Sequence, residues 1–192
     1  MDTIQLLISI FLGVGLAAAV GFRVFLPLLV LSLAGHYDFI PLADSWEWAG
    51  SLTAIIVLAV ATLVEIFGYY IPWFDNLLDT IAIPLAAVAG TMVMVATVGD
   101  MDPVVTWALA IIAGGGTAAA IKGNTAAVRV ASSTTTGGVA NPVVSTIETG
   151  TATAMSFLSI IWPVVGFVLV VLIFLAIFMF YKKLRKKKAT HS

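Results

Sequence analysis

Cysteine is absent from the 192 residues. Its absence excludes disulfides, thiolate metal sites and catalytic thiols together, though it says little about redox compartment. Charge is almost as scarce: 10% of residues are charged, where a soluble domain carries about 25%. With 61% hydrophobic residues and a mean hydropathy of +1.12, the chain has more apolar surface than a soluble core can hide. The surplus must face lipid. A net charge of −1 supports no electrostatic argument about partners. A His-Glu-x-x-His zinc signature and a nucleophile elbow are also missing, and His36 and His191 fall in a loop and a tail. No metal, no cofactor and no catalytic residue is expected, and the chain does not read as an enzyme. The acid pair Asp75 and Asp79 could in principle form a dyad, but spacing of four suits the start of a helix better.

What is there is a series of apolar stretches. The first runs from Ile4 to Ala34 without the basic n-region of a signal peptide, so it reads as a retained membrane segment. It exceeds the ~20 residues that a span needs, and Gly21 and Pro27 mark where it should tilt, kink or break. An acidic, aromatic loop with Asp38, Asp44, Trp46, Glu47 and Trp48 follows, at a membrane surface by its tryptophans. A second segment runs from Gly50 to Ile71 and a third from Asp75 or Asp79 to Val98. Asp100 and Asp102 then make a turn, with Asp102 placed to cap a fourth segment and Pro103 at its first position. That segment contains Gly114, Gly115 and Gly116 and ends near Ile121.

Hydropathy then collapses. Residues 122–153 are rich in Gly, Ala, Ser and Thr, with Thr134, Thr135 and Thr136 in one run. A floppy linker is one reading; small residues packed inside a membrane protein, partly irregular, is the other. Asn141-Pro142 looks like a helix start with Asn141 as N-cap. The last apolar segment, 157–181, ends in the basic run 182–188. By the positive-inside rule that tail is cytoplasmic and touches anionic lipid; directly after a membrane helix, nucleic-acid binding ranks far below this.

Residues Gly15-Leu16-Ala17-Ala18-Ala19-Val20 return as Gly116-Thr117-Ala118-Ala119-Ala120-Ile121, 101 positions later. Each copy precedes basic residues, Arg23 or Lys122 and Arg129, then an acid, Glu65 or Glu148. If this is a true repeat of halves 1–101 and 102–181, three segments per half would make the halves inverted in the membrane. The expected architecture is thus all-α: one polytopic membrane helix bundle, 1–181, of about six segments with five as the alternative, some of them broken, followed by the tail 182–192.

The pattern Leu26-Pro27-Leu28-Leu29, then Glu65, Ile71-Pro72, Asp75 and Asp79, then Pro84-Leu85-Ala86, and finally Asn141-Pro142, Ser145 and Glu148, resembles a bacterial membrane family known as domain of unknown function 4126. The resemblance covers most of the chain and implies a membrane protein of unassigned activity. One departure stands out: the basic residues associated with the two central prolines are here Tyr70-Ile71 before Pro72 and Ile83 before Pro84. A charge network built on those bases is not carried over.

Ionisable groups at bilayer depth cost roughly 2.5–3.5 kcal/mol each on insertion scales and mark substrate or ion pathways by default. Arg23, Glu65, Asp79, Lys122, Arg129 and Glu148, with Asn141, form the expected substrate or ion site, and Asp75, Thr134, Thr135 and Thr136 are secondary members. An anion could use the three cations and the helix start after Asn141. A cation or proton could use Glu65, Asp79 and Glu148. The expectation is a small transporter or permease with a charged central cavity for a small solute or ion. The alternative is a scaffold or accessory subunit whose charges only register helices. A bundle this small would gain from forming a homo-oligomer, though no motif demands it.

Overall fold

The computed structural model describes residues 3–99 and 101–189, without the side chains of 72–77 and 184–189. Asp100, His191, the side chain of Asp75 and the basic side chains beyond Lys183 therefore lie outside the described residues. The described residues form eight α-helices: α1 (Thr3–Phe22), α2 (Phe25–His36), α3 (Leu52–Gly68), α4 (Pro72–Thr97), α5 (Pro103–Leu109), α6 (Gly116–Thr136), α7 (Asn141–Ile161) and α8 (Pro163–Ala189). A 3₁₀ turn, Asp44–Gly50, precedes α3, and a π-helical turn, Ala110–Gly115, joins α5 to α6.

The first apolar stretch breaks where its sequence demands. Pro27 has no N–H to offer the carbonyl of Arg23, and α1 ends at Phe22. A Cβ on Gly21 would lie 2.5 Å from Cβ of Ile121, so only glycine lets α6 approach the end of α1 this closely. The break is also a reversal. Ala43, just after α2, donates its N–H to the carbonyl of Ala96 at 2.9 Å. The same end of α4 abuts mid-α1, where a Cβ on Gly13 would stand 2.6 Å from Oγ1 of Thr97. Helix α2 therefore folds back along α1. At its far end His36 pairs through Nδ1 with the carbonyl of Gly50 at 2.8 Å, and α3 returns alongside it.

The chain reverses again at Trp162, where a Cβ on Gly166 would lie 2.9 Å from Cα of Ser159 and Gly15 of α1 faces both residues, so α8 folds back along α7. Seven legs therefore alternate in direction: α1, α2, α3, α4, α5–α6, α7 and α8. Four stretches are long and apolar enough to cross a membrane: Thr3–Phe22, Leu78–Thr97, Pro103–Thr136 and Pro163–Lys183. A fifth is reached only if the 3₁₀ turn and α3, bent by 62°, count as one span. These apolar helices fit a multi-pass membrane protein. The expected six spans are thus four, or five at most by length and composition, because α2 has 12 residues and α7 is too polar.

The inverted relation of the two halves is also corrected. The Gly13 level of α1 meets Met94, which packs on Gly114, while Gly21 meets Ala118 and Ile121. The two matching stretches run side by side in the same direction, whereas inversion requires them to be antiparallel. The core around α1 mixes small residues such as Ala17, Ala18 and Ala19 with Leu16, Val20, Val93 and Met94. Gly90 of α4 and Gly114 of the π turn approach until a Cβ on Gly114 would sit 2.5 Å from the carbonyl oxygen of Gly90.

Residues 122–153 are neither linker nor irregular segment. They form the end of α6, a four-residue turn and the first part of α7. Gly137 supplies the left-handed residue at the turn with φ 62°. The hydroxyls along this hairpin bond back to carbonyls one turn earlier, as Thr149 does to Ser145 at 2.9 Å and Thr153 to Thr149 at 2.7 Å. Such pairing hides the hydroxyl without a partner helix.

Candidate functional site

The α1–α2 break gathers the buried charges of the described residues. Two helix ends face each other there, with spare carbonyls on α1 and spare N–H groups on α2. Lys122 of α6 donates from Nζ to the carbonyl of Phe22 at 2.9 Å, closing the end of α1. Glu65 of α3 accepts from the N–H of Val24 at 2.8 Å through Oε1 and from that of Phe25 at 3.0 Å through Oε2, closing the start of α2. A cation thus meets the negative end of one helix dipole and a carboxylate the positive end of the next.

Arg23 lies between them and is fully buried at 0% exposure. Its guanidinium reaches α7, where Nε donates to Oγ1 of Thr149 at 3.0 Å and Nη2 to the carbonyl of Ser145 at 2.9 Å and to the Ser145 hydroxyl. Glu148 on the same helix is 3.9 Å from Nη2. Arg129 of α6 grips Glu148 with two nitrogens, Nε to Oε1 at 3.1 Å and Nη2 to Oε2, the fork geometry for which arginine is suited. The remaining terminal nitrogen of Arg23, Nη1, is buried and has no hydrogen-bond partner among the described residues.

Tyr69 organises the cations. It follows α3 directly, four residues after Glu65, and is buried. The guanidinium carbons of Arg23 and Arg129 lie 4.3 and 4.0 Å from its ring centroid, and Nζ of Lys122 lies 5.9 Å away. Sequence reasoning missed Tyr69, because aromatics beside a helix end read first as interface anchors. The available signal was its place one turn past a buried acid.

The surroundings set the depth. Side chains facing outward at this level, Leu63, Val64, Phe67, Val128, Val130 and Ile147, are apolar and exposed, although Arg129 and Glu148 sit among them in sequence. A charged core inside an apolar girdle belongs within a bilayer.

Five expected site residues therefore converge: Arg23, Glu65, Lys122, Arg129 and Glu148. Asp79, half-buried on the second turn of α4, lies within electrostatic reach of Tyr69 and Arg129. The others do not join them. Thr134, Thr135 and Thr136 bond back along α6 to the carbonyls of Val130, Ala131 and Ser132 at 3.0, 2.7 and 2.8 Å. Asn141 is not the N-cap of α7. That place is taken by Ala140, and Nδ2 of Asn141 donates to Oγ of Ser133 at 3.0 Å across the turn. This turn is about 10 Å from Glu148 along the helix axis.

The charges are packed against one another rather than around an open chamber. The two described cavities lie elsewhere: an apolar groove of about 520 Å³ between Ala87, Met92, Trp107 and Gly116, and a smaller one of about 260 Å³ beside Asp44 and Thr106. Neither is lined by a residue of the charged cluster. No group of His, Asp and Glu able to hold a metal ion occurs among the described residues.

Comparison with characterised proteins gives no match among curated sequences and none among solved structures. The model of the family described as Domain of unknown function (DUF4126) matches residues 10–183, which include every residue of the charged centre; this chain belongs to that family.

Proposed function

We propose that this protein is a small membrane transporter or permease for an anionic or ion-coupled solute, with the α1–α2 break as its binding centre. One observation carries the reading: Arg23 is wholly buried with a terminal guanidinium nitrogen unpartnered among the described residues. A purely structural arginine at bilayer depth would be driven to satisfy every donor, because an unmade hydrogen bond there costs several kcal/mol. A small anion completes Arg23. The discontinuous helix agrees with this, since irregular backbone at membrane depth is tolerated where it is buried in protein or lines a pathway.

By the positive-inside rule the basic end of α8, residues 182–188, faces the cytoplasm of an inner membrane and contacts anionic lipid there. The test is uptake of labelled phosphate, sulfate, acetate and succinate into proteoliposomes, with and without a proton gradient, by the wild type and Arg23→Gln. Uptake abolished in a folded Arg23→Gln protein supports transport. No uptake of any of these anions above protein-free vesicles, under either condition, refutes it.

The scaffold reading has its own observation: Glu65 and Glu148 are each engaged on both oxygens by protein groups. It predicts that Arg23→Gln lowers stability in proportion to any loss of activity.

A further inference from the structure

Glu65 sits where the carboxylate of a ligand would sit. Its two oxygens are held at 2.8 and 3.0 Å by consecutive backbone N–H groups at the start of α2, the usual seat of a bound anion. Arg23, the residue immediately before those amides, is buried beside them with Nη1 unpartnered among the described residues. Resting on the transport reading above, we propose that the α1–α2 break is a binding site for a small carboxylate, which Glu65 fills from within and yields on taking up a proton.

Three arguments support this. The first is geometric. Glu65 is tethered to α3 and engages the two amides but not Nη1 of Arg23. An untethered carboxylate on the same amides is free to shift and engage that nitrogen as well. The second is charge. Arg23, Lys122 and Arg129 stand against Glu65, Glu148 and Asp79, so the described cluster is balanced. An added anion would leave one charge uncompensated at bilayer depth, whereas an anion and a proton together change nothing. The third is the choice of acid. Protonating Glu148 would give up its charged, two-bond grip on Arg129, and no incoming group is placed to replace it there. Protonating Glu65 releases only two amides, and the incoming carboxylate takes both. The proton comes from the aqueous phase to a carboxylate oxygen of Glu65, and no covalent bond to carbon is made or broken.

The experiment uses the full chain in phosphatidylcholine nanodiscs with acetate as probe. Glu65→Ala should be less heat-stable than the wild type and should recover a saturable part of the loss in acetate. Chloride at equal ionic strength should give no recovery, and neither should acetate with Arg23→Gln/Glu65→Ala. In weakly buffered solution the wild type should take up about one proton per acetate bound, by linkage. Loss of the acetate effect in phosphatidylserine discs would assign the native carboxylate to that headgroup, with the same site. Absence of acetate-specific recovery in folded Glu65→Ala overturns the proposal. If that variant does not fold, acetate binding to the wild type without proton uptake, or no binding at any pH, overturns it instead. Recovery by acetate without carboxylate flux in proteoliposomes would leave the site standing and remove the transport reading. Flux without recovery would do the reverse.

Discussion

The Arg129–Glu148 pair offers the sharpest test of how the centre is held. Both side chains are nearly inaccessible, and Glu148 also lies 3.9 Å from Nη2 of Arg23. Glu148→Gln keeps the shape and removes the carboxylate that Arg129 holds with two nitrogens. Breaking a buried pair from one side costs about 3–5 kcal/mol. On the calibration for soluble chains of this length, that lowers the melting midpoint by roughly 6–20 °C. The reciprocal exchange, Arg129→Glu with Glu148→Arg, restores the pair in isolation but should not restore the protein. It places a guanidinium where the carboxylate faced Arg23, and two like charges about 4 Å apart repel by roughly 4 kcal/mol at an effective dielectric of 20. Thermal unfolding of the variants in one detergent or nanodisc decides this. A swap as stable as the wild type would refute the shared role of Glu148. A Glu148→Gln loss below about 1 kcal/mol would refute burial of the pair, since that is the range of exposed ion pairs.

Other perturbations separate packing from charge. Gly114→Ala puts a methyl 2.5 Å from the carbonyl oxygen of Gly90 and should cost about 1–3 kcal/mol. Gly116→Ala meets nothing nearer than 3.9 Å and should be neutral or stabilise by up to about 1 kcal/mol; equal effects in thermal unfolding would contradict the close approach of α4 and the π turn. Tyr69→Phe keeps the ring under the two guanidinium groups and should cost less than about 1 kcal/mol, whereas Tyr69→Leu removes cation–π contacts worth about 0.5–2 kcal/mol each. Equal losses for the two would mean that the ring face contributes nothing. Lys122→Met and Glu65→Gln each uncap one side of the same break, so the double variant should be more stable than the sum of the single losses implies, by more than about 0.5 kcal/mol. Additive losses would make the two caps independent.

Much of this was legible residue by residue. The scarcity of charge outside the tail made Arg23, Lys122 and Arg129 conspicuous, and the structure brings all three to one place. The break was legible because Pro27 can deny a hydrogen bond only to Arg23. Asp102 does cap α5, accepting from Val104 at 2.9 Å. The reversal of α2 was not legible, since a proline says where a helix ends but not where the chain goes next. Nor was the helicity of 122–153: its Ser and Thr content favours loops in water, while in apolar surroundings each hydroxyl can retire onto its own helix. The repeat misled because alanine-rich matches carry no direction. Tyr69 escaped because its role depends on cations from α1 and α6, which nothing local in the sequence reveals.

The roles of the charges changed more than their membership. From sequence, Glu65 and Lys122 are candidate ligands; in the structure each completes a helix end that the broken backbone leaves open. These two descriptions are not rivals. A backbone break inside a bilayer exposes amides and carbonyls that must be satisfied at every moment, so the group that satisfies them when the site is closed is the group that any ligand must displace. Lys122 faces a carbonyl, which a small anion cannot take over. Glu65 faces amides, which it can. Of the two caps, only the acidic one is of the kind that an anion can replace, so the carboxylate exchange proposed above turns on Glu65 rather than on the more numerous cations.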